Sequence, residues 1–297
     1  MRTDFINKNE ISEKNKIKWI VEKSDDLYKD INDAIVNSLI NCGCDYLNIH
    51  YYDLFDNNVV KKVNDFINDD LKNTVTVVNG SINFIYKMAD MNTCFYMPKF
   101  QNFKCSNYFN YFGKFLLNSN YVYSSLMEIR RNYQFYFSLF GNSKIFLRPN
   151  SPLKEFSGFV TDAFSLDVDI VTNFKKDIIE NYLNSLFVVT SYKKILEEYR
   201  FVVSKKEILW CCKYREGGKL VKNKEIHPTD ETISFVKGIL NEVNYEPEIV
   251  YTIDIGRDFL TDKLGVIELN NFFSTGYYSN HGFDKLLGSI GGLHGWL

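Results

Sequence analysis

The sequence predicts an α/β layer with parallel strands over about the first 105 to 120 residues, followed by an α+β half built mainly on antiparallel sheet. Two observations predict it. Up to Met97, short apolar strand-like runs alternate with helix-like periodicity; from Lys144 onward strand follows strand with few helices between. A third, the composition, says that both halves have cores. The chain has 297 residues, 45% of them hydrophobic and 16% aromatic, with only five prolines, which suits one large or two modest folded domains.

The elements follow in order. Lys18–Glu22 reads as a strand, and Ser24, Asp25 and Asp26 offer caps to a helix whose apolar face runs through Leu27, Ile31, Ile35, Leu39 and Ile40. Gly43 ends that helix. Tyr46–Tyr52 is strand-like, Val59–Leu71 helical and Val75–Val78 a strand; the turn Asn79-Gly80-Ser81 feeds a helix over Ile82–Met91, and Cys94–Met97 adds a strand. A helical segment, Tyr121–Phe140, closes at Gly141-Asn142. Lys144–Leu147 is then a strand stopped by Pro149, with Ser157–Phe164 as its hairpin partner. Strands are expected at Leu186–Thr190, Tyr199–Val203, Ile208–Tyr214, Val250–Ile255 and Val266–Leu269, with a helix at Glu231–Asn241. The domain boundary falls near residue 142, giving units 1–142 and 143–297. Within the second, a break near 190 separates 143–190 from 191–297. The glycine-containing end, Gly288–Leu297, reads as a packed or frayed terminus.

Charge and cysteines exclude some roles. Thirty-five basic against thirty-seven acidic residues leave a formal charge of −2, which disfavours a protein that coats nucleic acid. No signal peptide opens the chain and no apolar run reaches the roughly 20 residues of a membrane span. The six cysteines, at 42, 44, 94, 105, 211 and 212, lack zinc spacing, so reduced, buried thiols in a cytoplasmic protein are expected. Abundant Asn, Lys and Ile fit an AT-rich genome such as a phage's, which would place the protein in the host cytoplasm. The four histidines are scattered, without metal or triad spacing; His281 follows a turn and is expected at the surface.

Three stretches could carry chemistry. In Val250–Tyr278, period-two alternation puts Thr252 and Asp254 on one strand face, and Glu268 and Asn270 on one face of the next. Paired as an antiparallel hairpin, Asp254, Glu268 and Asn270 converge. Two carboxylates and a carboxamide are hard oxygen ligands for Mg²⁺ held with a nucleotide; the competing expectation is a solvated edge hairpin. In Lys144–Asp162, Arg148 and Lys154 flank a tight turn and could grip a polyphosphate, with Ser157 and Gly158 letting backbone N–H groups approach. An ordinary hairpin with two exposed bases fits that stretch equally. In Leu186–Tyr214, the LFVVT strand resembles a hinge whose backbone meets an adenine edge. Glu198 and Arg200 share a strand face, and Lys213 and Arg215 repeat the two-residue spacing; a sheet laced with salt bridges is the alternative.

Taken in order, R-P-x4-K-x-F-x-G, V-V-T-S, E-Y-R-F-V-V, Y-T-I-D-I-G and E-L-N-N-F-x-S-x-G-Y-Y resemble the ATP-grasp superfamily. They are most similar to its clade of bacterial and phage proteins related to a eukaryotic translation-initiation assembly factor. The resemblance covers residues 144–278 strongly and the first half weakly. It implies an ATP-grasp fold: an N-terminal α/β domain, then two α+β subdomains clasping ATP. It implies Asp254, Glu268 and Asn270 as ligands of Mg²⁺, with Mn²⁺ as a substitute. By the same match Arg148 and Lys154 contact phosphates, Val188, Val189, Thr190 and Ser191 meet the adenine, and Glu198 and Arg200 lie near the nucleotide. Arg148 stands where many relatives carry Lys, so its role is electrostatic only. The reaction implied is ligation of a carboxylate to an amine (amino acid, peptide or protein) through an acyl phosphate, with Lys154, Arg200 and Lys213 neutralising the transferred phosphoryl group. Removing Asp254 or Glu268 is expected to weaken stabilisation by Mg-ATP while sparing the unliganded fold. Two alternatives remain. One is an RNA ligase using Lys154 or Lys213 as adenylylated nucleophile, with the run Lys193–Lys224 and Tyr192, Tyr199 and Tyr214 lining an RNA groove. The other is a non-catalytic ATP-binding assembly factor.

Overall fold

The structure, a computed structural model, describes residues 16–24, 29–71, 73–91, 94–141, 143–153, 157–173, 182–221, 227–278 and 282–291. Three parallel strands, β1 (Lys16–Glu22), β2 (Tyr46–Ile49) and β3 (Thr74–Asn79), make the first sheet in the order β2-β1-β3. Between them run α1 (Lys29–Asn41) and α2 (Asn57–Asn68), and α3 (Ile82–Asp90) follows. Continuous apolar strands covered by helices are the pattern of a parallel layer, and all six residues of β3 are buried. Gly43, at φ +66°, closes α1 as expected, and Ile35 and Leu39 are buried, whereas Ile40 is exposed. Leu27 and the caps Asp25 and Asp26 lie outside the described residues. The expected strand Tyr46–Tyr52 stops at Ile49, and Tyr51–Phe55 is 3₁₀ helix. Cys94–Met97 contributes one bridge, Val77 to Tyr96, rather than a strand.

The second half departs most from expectation at its start. Tyr121–Phe140 is not one helix: Tyr121–Ser125 is strand β4, followed by α5 (Leu126–Arg131) and α6 (Tyr133–Phe140). A β-branched and aromatic run, Tyr-Val-Tyr, favours the strand, and Ser125 caps α5 by accepting from the Glu128 N–H. Helix α4 (Cys105–Phe112), which precedes β4, had no expectation attached to it. β4 joins β5 (Lys144–Pro149), β6 (Phe159–Asp162) and β7 (Leu186–Ser191) in a four-stranded antiparallel sheet, order β4-β7-β5-β6. That sheet therefore draws on chain upstream of residue 143. Helices α5, α6 and α7 (Leu166–Asn173) cover one face, around a core of Ile145, Leu147, Phe187 and Val189.

The third sheet is β10-β9-β8-β11-β12, all antiparallel, from β8 (Ile195–Ser204), β9 (Glu207–Glu216), β10 (Lys219–Leu220), β11 (Val250–Asp258) and β12 (Leu264–Asn271). Helix α8 (Asp230–Glu242) packs on one face through Val236, Ile239 and Leu240. The other face carries Val202, Trp210 and Tyr214 into a core shared with the first sheet. Two register shifts matter below. Asp254 pairs with Glu268 but Ile255 with Val266, so Ile267 is an extra residue in β12. Glu198 pairs with Arg215 but Tyr199 with Lys213, so Tyr214 is extra in β9. Both are bulges, which re-aim side chains. After β12 a 3₁₀ turn, Phe272–Ser274, leads to α9 (Phe283–Gly291), whose end overlaps the start of the segment expected to be a packed or frayed terminus. Its Leu286, Leu287 and Ile290 are buried in the core of the first sheet, where Gly80 donates its N–H to Phe273 C=O.

Candidate active site

Between the four-stranded and five-stranded sheets lies a cavity of about 360 Å³. Strand alternation supplies its walls. On β5, Ile145 and Leu147 face the helices, while Phe146 and Arg148 face the cavity. On β7, Val189 belongs to the helix-side core and Val188 and Thr190 line the cavity. The opposite wall holds Glu198, Val266 and Ile267. The bulge lets the cavity-lining Ile267 be followed directly by Glu268 on the face of Asp254. Gly256 makes room, because a Cβ there would lie 2.8 Å from Ile267 Cδ1. The strand-to-strand passage Tyr192-Lys193-Lys194 closes one end, tied down by Lys193 to Asp258 (3.2 Å) and by Lys194 over the Phe259 ring.

The hairpin brings the three oxygen-bearing side chains together. Asn270 Nδ2 donates to Asp254 Oδ2 at 3.2 Å and to Glu268 Oε1 at 2.9 Å. Each acid also meets an arginine. Arg200 grips Asp254 with two parallel bonds, Nε to Oδ1 at 2.8 Å and Nη2 to Oδ2 at 2.7 Å, and gives a third to Gly276 C=O. Its guanidinium also lies 5.1 Å and 5.3 Å from the ring centroids of Tyr214 and Tyr278. Burial alone would lower the Arg200 pKa, but the Asp254 carboxylate outweighs it and holds the guanidinium well above its ordinary value. Arg148 crosses from β5 to β12, donating from Nη2 to Glu268 Oε2 at 2.9 Å and from Nη1 to Ile267 C=O. It too stays above its ordinary value despite burial, among Cys105, Tyr108 and Glu268. Glu198 accepts from Tyr214 Oη at 2.7 Å and Arg215 at 3.3 Å. The site thus sets two acids against two arginines before any ligand enters.

Several expected site residues lie elsewhere. Lys213 sits on the other face of the five-stranded sheet, with Glu197 at 2.6 Å and Glu216 at 2.9 Å. The bulge at Tyr214 is the reason: it sends Arg215 toward Glu198 and Lys213 opposite Tyr199. Val189 is in the core behind the cavity wall, and Ser191 stands half-buried at the strand end beside Ile145. At Gly158 the absent side chain makes room for the Phe146 ring, which a Cβ there would meet at 2.5 Å. Tyr199 and Tyr214 are buried and offer no stacking surface for RNA. Lys154, residues 222–226 and His281 lie outside the described residues. The six cysteines form no disulfide with one another; Cys105 and Cys212 are buried, but Cys42 is exposed. Burial pushes the Cys212 thiol up to about 12. Among the described residues no group of three or more His, Cys, Asp or Glu side chains is placed to hold a metal, and no helix is long and apolar enough to cross a membrane. Residues the sequence reading missed are Phe146, Asn118, Lys194 and Ile267. Asn118 Oδ1 is buried without a hydrogen-bond partner among the described residues and lines the cavity.

Residues 136–283 match the family described as ATP-grasp domain, R2K clade family 2. The chain carries an ATP-grasp domain. Known structures agree on the architecture. D-cycloserine synthetase DcsG superposes with a TM-score of 0.56 at 9% identity, covering 94% of this chain and 99% of that one. D-alanine–D-alanine ligase from Bacillus anthracis gives 0.53 at 11% identity, covering 94% and 98%. N5-carboxyaminoimidazole synthetase from Staphylococcus aureus gives 0.56 at 10% identity, covering 96% and 78%. No curated protein sequence matches the chain. At such identities the likeness is one of fold: an ATP-grasp fold with an N-terminal parallel sheet and two antiparallel sheets, the fold of carboxylate–amine ligases.

Proposed function

We propose that this ATP-grasp protein is an ATP-dependent ligase that joins a carboxylate to an amine through an acyl phosphate. The observation that carries the reading is the position of Arg148, at the junction of a mostly apolar cavity and a pair of carboxylates. A nucleotide has the same polarity, a flat base at one end and a polyanion at the other. The base would lie between Phe146 and Ile267, with the Thr190–Lys194 backbone along its edge and Asn118 Oδ1 as an acceptor for its amino group or a ribose hydroxyl. Glu198 serves the ribose. Arg148, together with the Lys154 that follows it in sequence, takes the phosphates. A clade kinship with the eukaryotic assembly factor belongs to the same proposal.

The side chains fit a hard divalent cation: Asp254, Glu268 and Asn270 already lie within hydrogen-bond reach of one another, and two carboxylates and an amide oxygen are ligands that Mg²⁺ or Mn²⁺ accepts. Bound there, the ion supplies positive charge to the triphosphate. For that, Asn270 turns its amide oxygen inward and Arg148 leaves Glu268 for a phosphate. Arg200 is a positioning group, holding Asp254 rather than touching phosphate. In the reaction, a substrate carboxylate oxygen attacks the γ-phosphorus, the bond to the β,γ-bridging oxygen breaks, and ADP leaves with the electron pair. Lys213, one of the two lysines considered for adenylyl transfer, lies on the other face of the sheet with Glu197 and Glu216.

The test is to incubate the protein with ATP labelled in the base, Mg²⁺ and a pool of amino acids and peptides, and to identify the released nucleotide. ADP, dependent on an added carboxylate, is expected. Release of AMP would overturn the acyl phosphate chemistry, and tight Mg-ATP binding with no turnover would point to an assembly role.

A further inference from the structure

Arg148 forms the partition between the nucleotide cavity and the acids. It lines that cavity and also a recess of about 30 Å³ beyond it, whose walls include Glu268 and Asn270. A water needs roughly 10–15 Å³ of such space, so room alone does not keep a small cation out of the recess. Charge and hydrogen bonding do.

The positions a cation would take on these acids are held by donors of the chain itself. Glu268 Oε2 accepts from Arg148 at 2.9 Å, and its Oε1 accepts from Asn270 Nδ2 at 2.9 Å. Both oxygens of Asp254 accept from Arg200, and Oδ2 accepts from Asn270 as well. An amide set between two carboxylates must present its NH₂, whereas a metal requires its oxygen. Among the described residues the two acids and the two arginines also cancel in charge. A bare divalent cation entering here gains no net attraction. It would also leave the Arg148 guanidinium, on a side chain only 18% exposed, beside a like charge.

The two arginines are not equivalent barriers. Arg200 is fixed by Asp254, by Gly276 C=O and by two tyrosine rings. Arg148 has an open cavity on its far side. A guanidinium does not give up its proton to make way for a metal, so Arg148 has to move. An anion in the cavity gives it somewhere to go.

We infer that Arg148 gates the cation site: it occupies Glu268 until a polyphosphate in the cavity draws it away, so that metal affinity is low without nucleotide and rises when the nucleotide binds. The inference rests on the ligase reading, which places phosphates beside Arg148. The coupling is reciprocal, as linkage between two ligands requires: whatever factor the nucleotide adds to metal affinity, the metal adds to nucleotide affinity.

The experiment measures Mn²⁺ uptake by the full chain without nucleotide, from the loss of the free-ion electron paramagnetic resonance signal. Arg148→Met should bind a single Mn²⁺ at least about tenfold more tightly than wild type, because wild type must break a hydrogen bond between charged groups for each ion bound. Arg148→Lys keeps the charge and should bind Mn²⁺ as weakly as wild type does, which a merely structural role for the side chain would not produce. Adding Glu268→Gln to Arg148→Met should return the affinity to the wild-type level. Arg148→Gln is the second uncharged variant, and circular dichroism checks that each protein is folded. Equal Mn²⁺ affinity in wild type and the uncharged variants overturns the inference, as does a gain that survives Glu268→Gln; either leaves the ligase reading standing. Wild type with AMP-PNP tests that reading separately. A ternary complex, seen as enhanced water-proton relaxation by Mn²⁺, is expected, and its failure to form overturns both.

Discussion

At Asp254, the carboxylate expected to meet a metal is also the partner that keeps Arg200 tolerable in the interior. Asp254 is fully buried and Arg200 is 4% exposed. Removing one member of such a pair leaves an uncompensated buried charge, which costs about 3–5 kcal/mol. Asp254→Ala should therefore destabilise the ligand-free protein by about that amount in urea unfolding, contrary to the expectation that its fold is spared. The double variant Asp254→Leu with Arg200→Met should recover most of the loss, because an apolar pair of similar volume avoids the desolvation cost. Glu268 differs. Its side chain is 28% exposed, so Glu268→Gln should shift the unfolding midpoint little, by about 0–1 kcal/mol. That variant should nonetheless lose the extra thermal stabilisation that Mg²⁺ adds to ATP. An unchanged Mg²⁺ increment would remove Glu268 from the metal site.

At the scale of the strand, the two bulges decide what faces what. Gly256→Val would press on Ile267 from beneath and push it into the cavity. Overpacking of this kind costs about 1–3 kcal/mol, so nucleotide affinity should fall about tenfold or more by fluorescence titration, with the fold retained. The same strands show how much was legible beforehand. Asp254, Glu268 and Asn270 converge as alternation predicts, because all three lie on one side of the Ile267 bulge. Lys213 was misplaced because a bulge leaves the hydrophobic pattern intact and shows only when a partner strand is present. Tyr121–Ser125 read as helix because apolar spacing over Tyr121–Phe140 suits either state, and pairing with β7 decided it. Lys213 has a consequence of its own. Burial alone would raise the Glu197 carboxyl, but hydrogen bonds from Lys213 and Tyr199 hold it below its ordinary value. A depressed folded-state pKa gives stability that is full above the unfolded value of about 4.3 and is lost as pH falls through the lower one. Glu197→Gln should accordingly flatten the acid limb of a stability–pH curve and leave cavity binding unaffected.

Across the whole molecule, the first sheet and the last segment share one core. Trp19 and Tyr96 meet Phe273 at ring-centroid distances of 6.4 Å and 5.7 Å, and Asn79 donates to Tyr277 Oη at 3.4 Å. Phe272 and Phe273 follow β12 directly, so the strand that presents Glu268 and Asn270 is anchored to the N-terminal layer at its far end. Deleting residues 272–297 should strip protection from β1 and β3 in hydrogen exchange as well as from β12; protection confined to the loss of β12 would show the layer to be independent. The same stitching has a bearing on biosynthesis. A nascent chain must carry the greasy flank of its earliest sheet uncovered until β12 and the residues behind it, Phe272, Phe273, Leu286 and Leu287, have left the ribosome to cover it.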